Sequence, residues 1–212
     1  MSNFGFSRLR VVQPYDVAFR EARSAVGASD LLAAAEEYTT VAEAVADCTL
    51  VIGTTSARDR ELHHSLRALE NAAKLIRKRL FSSPVALLFG SEKRGLSSED
   101  LSHCHWLLCI PTRQEHSSMN LGQAVGITLY ELAHKAKLSV SEKANHASAE
   151  EIERITMALI DALRIAGYMK ASAAASSEMK VRRLICRLNP EEADAELLLG
   201  MLRKILWKLR SG

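Results

Sequence analysis

Pro84-Val-Ala-Leu-Leu-Phe-Gly-Ser-Glu-Lys-Arg-Gly-Leu96, followed by Ile110-Pro111 and then by Ser117-Ser-Met-Asn-Leu-Gly-Gln-Ala-Val125, sets the reading of the whole chain. The apolar run Val85 to Phe89 breaks at a loop holding Gly90 and Gly95. A second run, Trp106 to Ile110, stops at Pro111, and a loop with two serines and Asn120 opens directly into a helical pattern. Strand-like runs that end in such loops suit a parallel α/β sheet. Its ligands sit in the crevice at the carboxyl ends of the strands, where glycine lets backbone amides approach closely.

Outward from this stretch the same alternation continues. Leu9 to Val12 and Leu50 to Ile52 are further strand candidates, rich in β-branched residues. Their hydrophobicity is continuous rather than alternating, as expected of strands covered on both faces. Val17 to Val26, Val41 to Ala46 and Leu66 to Leu80 read as crossover helices, which makes the fold class α/β with a doubly wound parallel sheet. Asn120 to Ala136 is the clearest helix of this part, with Leu121, Ala124, Val125, Thr128, Leu129 and Leu132 at helical spacing. Gly122 and Gly126, four apart on one face, leave room for another backbone.

The domain reading is therefore 1–136 for the α/β part, a polar linker at 137–147, and a helical extension at 148–212. Ser148 with Glu151 forms a capping box for a helix running to about Ala166. Ala171 to Ser177 is a low-complexity separator. Asn189-Pro190-Glu191-Glu192 reads as a helix start, with Asn as cap, Pro at the first helical position and carboxylates at the positive dipole end. The last helix carries Leu198, Leu202 and Leu206 on one stripe beside Met201, Ile205 and Leu209.

The net charge of +3 is compatible with a polyanionic partner but does not select one, so the distribution of charge must decide. No apolar run approaches the roughly 18 residues of a membrane span, and the first residues show no secretory h-region, so a cytoplasmic protein with no membrane partner is expected. Cys48, Cys104, Cys109 and Cys186 lack paired CxxC spacing, and no disulfide is expected. His103 and His105 could share a side of a strand, and His63-His64 is a second pair, but no further ligands follow at zinc-like spacing, so no metal is expected.

The order and spacing FGSExxGL, IP, SSMN resemble motifs 2 and 3 of the SpoU/TrmH family of SPOUT RNA 2′-O-methyltransferases. Asn3-Phe-Gly-Phe-Ser-Arg-Leu-Arg-Val-Val12, Gly53-Thr-Thr-Ser-Ala-Arg58 and the tail with Leu199-Gly-Met-Leu-Arg203 are similar to the branch that methylates ribose in the tRNA anticodon loop. The resemblance implies a C-terminal trefoil knot in the α/β domain, a homodimer, S-adenosyl-L-methionine as methyl donor and RNA, most simply tRNA, as partner. It also implies that a strand and an Asn-Ile-Gly-type helix with a catalytic Arg precede the Asn3-Phe4-Gly5 segment, so the chain is expected to start late. Arg58 and Arg94 do not match that Arg.

Residue by residue, the resemblance assigns cofactor contacts to Thr55, Ser56, Ala57, Gly90, Ile110, Ser117, Ser118 and Met119. Glu92, Ser118 and Asn120 match the catalytic positions: Asn120 and Ser118 order the site near the methyl acceptor, and Glu92 positions loop or substrate groups. Methyl transfer needs the sulfonium methyl in line with the ribose oxygen and a group that takes the hydroxyl proton. Arg58 and Arg60 suit phosphate contacts beside this face. Lys180, Arg183 and Arg187 form a basic flank of a helix whose Val181, Leu184 and Leu188 would turn toward a core, a candidate RNA rail. Two other readings stand beside methylation of tRNA: rRNA as substrate, and a noncatalytic RNA-binding or dimerisation protein lacking the first strand and helix.

Overall fold

The computed structural model describes residues 1–14, 27–56, 64–113, 115, 118–134, 145–169 and 173–211. Four parallel strands form the main sheet: β3 (Leu50–Thr54), β4 (Leu66–Ala68), β5 (Val85–Leu88) and β6 (Trp106–Cys109), in the order β4-β6-β3-β5. β1 (Arg10–Val12) and β2 (Glu36–Tyr38) make a separate parallel pair. The helices of the α/β part are α1 (Ser29–Ala33), α2 (Val41–Val45), α3 (Leu69–Leu80), α4 (Ser98–Ser102) and α5 (Leu121–His134).

Alternate side chains of the sheet feed two cores, which is why its sequence is apolar without a break. Leu50, Ile52, Trp106 and Leu108 pack with Leu69, Ala72, Ala73 and Ile76 of α3 and Leu129 and Leu132 of α5. Val51 and Leu107 face the other way, toward Val45 of α2, Leu101 of α4 and Leu96. Helices thus cover both faces, as the continuous hydrophobicity requires.

Two short strands escaped the sequence reading. Leu66-Arg67-Ala68 was expected to begin the following helix, yet it pairs in parallel with Leu107, Leu108 and Cys109 at the sheet edge. Leu, Arg and Ala favour a helix locally, and the open edge of β6 overrides that preference. Arg67 also lies over the Trp106 ring, 5.0 Å from its centroid. Glu36-Glu37-Tyr38 is charged, and its pairing with β1 is held from outside by ion pairs. Arg10 binds Asp47 at 2.6 Å and Arg8 binds Glu36 at 2.7 Å. The Arg10 guanidinium holds the Asp47 carboxyl well below the usual carboxylate range. The expected helix Val17 to Val26 lies outside the described residues.

The helical extension comprises α6 (Ala149–Ile165), α7 (Ala174–Leu188) and α8 (Glu192–Arg210). The Ser148 capping box is present, its hydroxyl accepting from the Glu151 N–H. Ala174 to Ser177 belong to α7 rather than to a separator, since Ala and Ser extend a helix once its other side is packed. Of the expected linker, 137–144 lies outside the described residues, and Ala147 is buried with its N–H donating to the Pro190 carbonyl. Asn189 does not cap α8. It ends α7 with φ 45°, a left-handed conformation that Asn tolerates, and Glu191 takes the N-cap position of α8.

This extension is fastened to the α/β part. The N–H groups of Ala149 and Glu150, at the start of α6, donate to the carbonyls of Cys48 at 2.8 Å and Ala46 at 3.1 Å, just past the end of α2. Arg182 of α7 grips Glu153 of α6 with two 2.8 Å bonds and reaches the Ser102 hydroxyl of α4 at 3.4 Å. Ile152, Ile155, Ile185, Cys186 and Ala195 close the layer behind it. None of the helices among the described residues is long and apolar enough to cross a membrane.

Candidate active site

The carboxyl ends of β3, β5 and β6 open into a cavity of about 340 Å³. Two bonds tie these ends together. The Thr54 hydroxyl donates to the Leu88 carbonyl at 2.9 Å, and the Thr55 N–H donates to the Leu108 carbonyl at 2.9 Å. Thr54, Thr55 and Ser56 therefore line one wall, Ile110 and Thr112 another, and Ser118 and Met119 a third, with Leu121 and Ala124 of α5 behind them. The lining mixes hydroxyls and loop backbone with the apolar side chains of Leu96, Leu108, Ile110 and Met119. That combination suits a ligand with a flat apolar ring system and polar ends, and the volume falls within the roughly 300–1,000 Å³ of small-molecule sites.

The fourth wall is the loop after β5. Ser91 pairs with Gly95, whose N–H donates to the Ser91 carbonyl at 2.8 Å, and the Arg94 N–H lies 3.4 Å from the Ser91 hydroxyl. Gly95 sits at φ 67°, which favours glycine. Gly90 is required by the loop's own backbone. A Cβ built there would lie 2.0 Å from the Gly95 carbonyl carbon and 2.2 Å from the Leu96 nitrogen. Glycine at 90 thus lets the returning strand of the loop cross its own entry.

Asn120 sits at the mouth of α5, its side-chain oxygen accepting from the Gln123 N–H at 3.3 Å and its carbonyl from the Ala124 N–H at 2.9 Å. The structure brings Thr55, Ser56, Gly90, Glu92, Ile110, Ser118 and Met119 to one cavity and places Asn120 beside it. Ala57, Ser117, Arg58 and Arg60 lie outside the described residues. Thr54, Lys93 and Thr112 line the cavity as well, and sequence reading passed over them; Arg94, which does not match the family's catalytic Arg, lines it too. The signal for Thr54 was its place as the last residue of a strand whose neighbours end at the same level.

On α7, Lys180 and Arg187 are exposed and Arg183 is half-buried, in keeping with a solvent-facing flank. The apolar part of that expectation fails. Leu184 and Leu188 are exposed at 42% and 60%, and the buried residues are Ile185 and Cys186. The helix is rotated because Arg182, next to them, is drawn inward by Glu153. His105, just before β6, accepts the Val51 N–H through Nδ1 at 3.1 Å, and burial lowers its pKa to about 4. His103 follows the end of α4, its Nδ1 3.9 Å from Glu153, so the two histidines serve different contacts. No cluster of three or more metal-binding side chains occurs among the described residues.

The profile of the SpoU rRNA Methylase family matches residues 1–130. The chain is 35% identical to the tRNA (cytidine/uridine-2′-O-)-methyltransferase TrmJ of Sodalis glossinidius (strain morsitans), over 97% of this chain and 83% of that protein. It is 32% identical to the TrmJ of Yersinia pestis (strain Pestoides F) over the same shares. Among solved structures, TrmJ from Z. mobilis ZM4 superposes with a TM-score of 0.85 at 30% identity, covering 97% of this chain and 89% of that one. A probable methylase family protein from Haemophilus influenzae Rd KW20 superposes with a TM-score of 0.59 at 27% identity, covering 99% and 88%.

Proposed function

The chain belongs to the SpoU methylase family, and we propose that it transfers a methyl group from S-adenosyl-L-methionine to a ribose 2′-hydroxyl of tRNA, at a cytidine or uridine of the anticodon loop. The observation that carries this reading is the cavity at the carboxyl ends of β3, β5 and β6, bounded by the same three loops whose residues carry the family resemblance. When bound there, the sulfonium donor supplies an electrophilic methyl group.

The protein's own part is positioning. Backbone and hydroxyl groups of Thr55, Ser56, Gly90, Ile110, Ser118 and Met119 hold the donor, together with Ala57 and Ser117 of the same loops. Leu96, Leu108 and Leu121 keep water from one side of the cavity. Such orientation converts a bimolecular displacement into an effectively unimolecular one. Asn120 and Ser118 order the acceptor side, and Glu92 at the rim positions the loop or the incoming ribose. Arg58, Arg60 and the flank of Lys180, Arg183 and Arg187 contact RNA phosphates, whose charge needs guanidinium or ammonium partners.

Residues 1–136 carry the transfer chemistry, 137–147 connect, and 148–212 contribute to RNA binding. A second copy covers the outer face of α5, where Ile127 and Tyr130 are 41% and 49% exposed and a Cβ at Gly126 would meet nothing within 4 Å. The enzyme works in the cytoplasm, where its RNA is found.

The test is methyl transfer from radiolabelled S-adenosyl-L-methionine to unmodified tRNA and rRNA, with calorimetry of donor binding on the same preparation. Label in a 2′-O-methylated pyrimidine of tRNA, and donor binding at micromolar to millimolar concentration, are expected. Donor binding without label in either RNA refutes the transferase reading, and label in rRNA alone refutes the choice of substrate.

A further inference from the structure

The last two turns of α8 carry a surface that the α7 flank and the cavity do not account for. Trp207 is 59% exposed, although tryptophan is ordinarily among the more buried side chains. Its one ring partner among the described residues is Lys204, whose ammonium lies 4.2 Å from the ring centroid. The cation lies over the ring, most of whose surface remains exposed.

Charge on α8 is divided along its length. Glu191, Glu192, Asp194 and Glu196 stand at its start, and Arg203, Lys204, Lys208 and Arg210 at its end. The helix dipole favours that order and explains part of it. It does not explain an exposed indole among the cations. Arg210 is partly engaged by Asp161 at 3.7 Å, whereas Arg203, Lys204 and Lys208 have no ion-pair partner among the described residues.

We propose that Trp207, framed by Arg203, Lys204 and Lys208, is a stacking platform for an unpaired nucleobase of the RNA substrate, with the cations on the flanking phosphates. The inference rests on the RNA reading given above. Every base presents a π face, and an aromatic ring beside cations is the usual means of holding single-stranded nucleic acid without reading its sequence. A second copy of the chain fits this surface less well. A two-fold contact centred on this helix end would set its cations against those of the copy, which is unfavourable.

The position of the platform adds to the argument. α8 starts beside α6, where the Glu192 N–H donates to the Asn145 carbonyl, and its end reaches Asp161 in the last turns of α6, so the two helices run parallel. α6 itself is fastened at its start to Ala46 and Cys48. At 1.5 Å per residue, Trp207 lies on the order of 20 Å along the layer from that junction. It therefore touches a different part of a folded RNA from the methylated ribose.

Fluorescence tests this directly, because the chain has two tryptophans and the other, Trp106, is buried. Unfractionated tRNA and single-stranded oligoadenylate should quench the exposed emission, and a fully paired RNA duplex of equal length should not. Trp207→Ala should weaken tRNA binding roughly 5- to 100-fold, the range found for losing one base–aromatic stack, and Trp207→Phe should retain most of the affinity. The melting temperature of Trp207→Ala should match wild type, since the ring is not part of a core. Unquenched emission with unchanged affinity of Trp207→Ala overturns the proposal. So does a change of sedimentation in Trp207→Ala, which assigns the surface to a second copy. Trp207-dependent tRNA binding in a preparation that transfers no methyl supports the platform and counts against the transferase reading alone.

Discussion

Gly90→Ala is the smallest change that separates a loop built for its own backbone from one that merely skirts a ligand. The added Cβ would sit 2.0 Å from the carbonyl carbon of Gly95, where ordinary contact begins near 3.4 Å, so the returning chain must retreat by about 1.4 Å. Neither obstacle is a side chain that can rotate away. Overpacking of rigid surroundings costs about 1–3 kcal/mol, and backbone on both sides puts this case at the upper end. For a chain of this length each kcal/mol moves Tm by about 2–4 °C, so Gly90→Ala should melt about 6–12 °C below wild type. Because the displaced segment, Ser91 to Gly95, forms one wall of the cavity, affinity for S-adenosyl-L-methionine should fall at least about tenfold, as 1.4 kcal/mol of lost preorganisation gives. Differential scanning calorimetry and titration calorimetry read both quantities. Gly200→Ala is the control: no atom lies within 4 Å of the built Cβ, and it should stabilise α8 by about 0.5–1 kcal/mol. A Gly90→Ala protein with the melting temperature and donor affinity of wild type would refute the reasoning.

Four further outcomes are expected. Asn120→Asp keeps a side-chain acceptor for the Gln123 N–H, so α5 should stay intact while methyl transfer falls at least about tenfold; a wild-type rate would reduce Asn120 to a helix cap. His105 has its pKa lowered to about 4 by burial, so the unfolded chain binds its proton first, and the stability present above pH 6.5 is lost as pH falls toward 4. Urea titrations should show wild type losing about 2 kcal/mol more than His105→Gln between pH 7 and pH 5, and parallel losses would exclude His105 as the cause. Arg182→Met and Glu153→Gln should each destabilise the protein, with a double-mutant coupling on the order of 1–2 kcal/mol; additive losses would mean that the pair does not hold α7 against α6. Neutralising Lys180, Arg183 and Arg187 together should flatten the dependence of log tRNA affinity on log salt by about 1 for each phosphate that one of these cations neutralises, and an unchanged slope would leave the flank to ordinary solvation.

Much of the molecule was legible in one dimension because its elements are specified locally. The strands β3, β5 and β6 are unbroken apolar runs, the capping box at Ser148 is a four-residue signature, and the cavity loops are punctuated by glycine and proline. The rotation of α7 was not legible, since Leu184 and Leu188 satisfy the helical period as well as Ile185 and Cys186 do. The ion pair between Arg182 and Glu153, 29 residues apart, chooses between them. Asn189 illustrates the same point at one residue. Before Pro190 it reads as an N-cap, and the C-terminal turn of α7 claims it instead.

The sequence by itself determined the α/β class, the helical extension and the three loops of the site, because hydrophobic period and turn chemistry act over a few residues. Tertiary structure alone decided which weak segments became edge strands, which face of α7 is buried, and that Gly90 serves the crossing of its own loop. The first two turn on partners distant in the chain, a backbone edge and an ion pair that exist only once the elements have packed, and local preference is too weak to oppose them. The third is a 2.0 Å approach within one loop, set by its three-dimensional path, which residue types alone do not give.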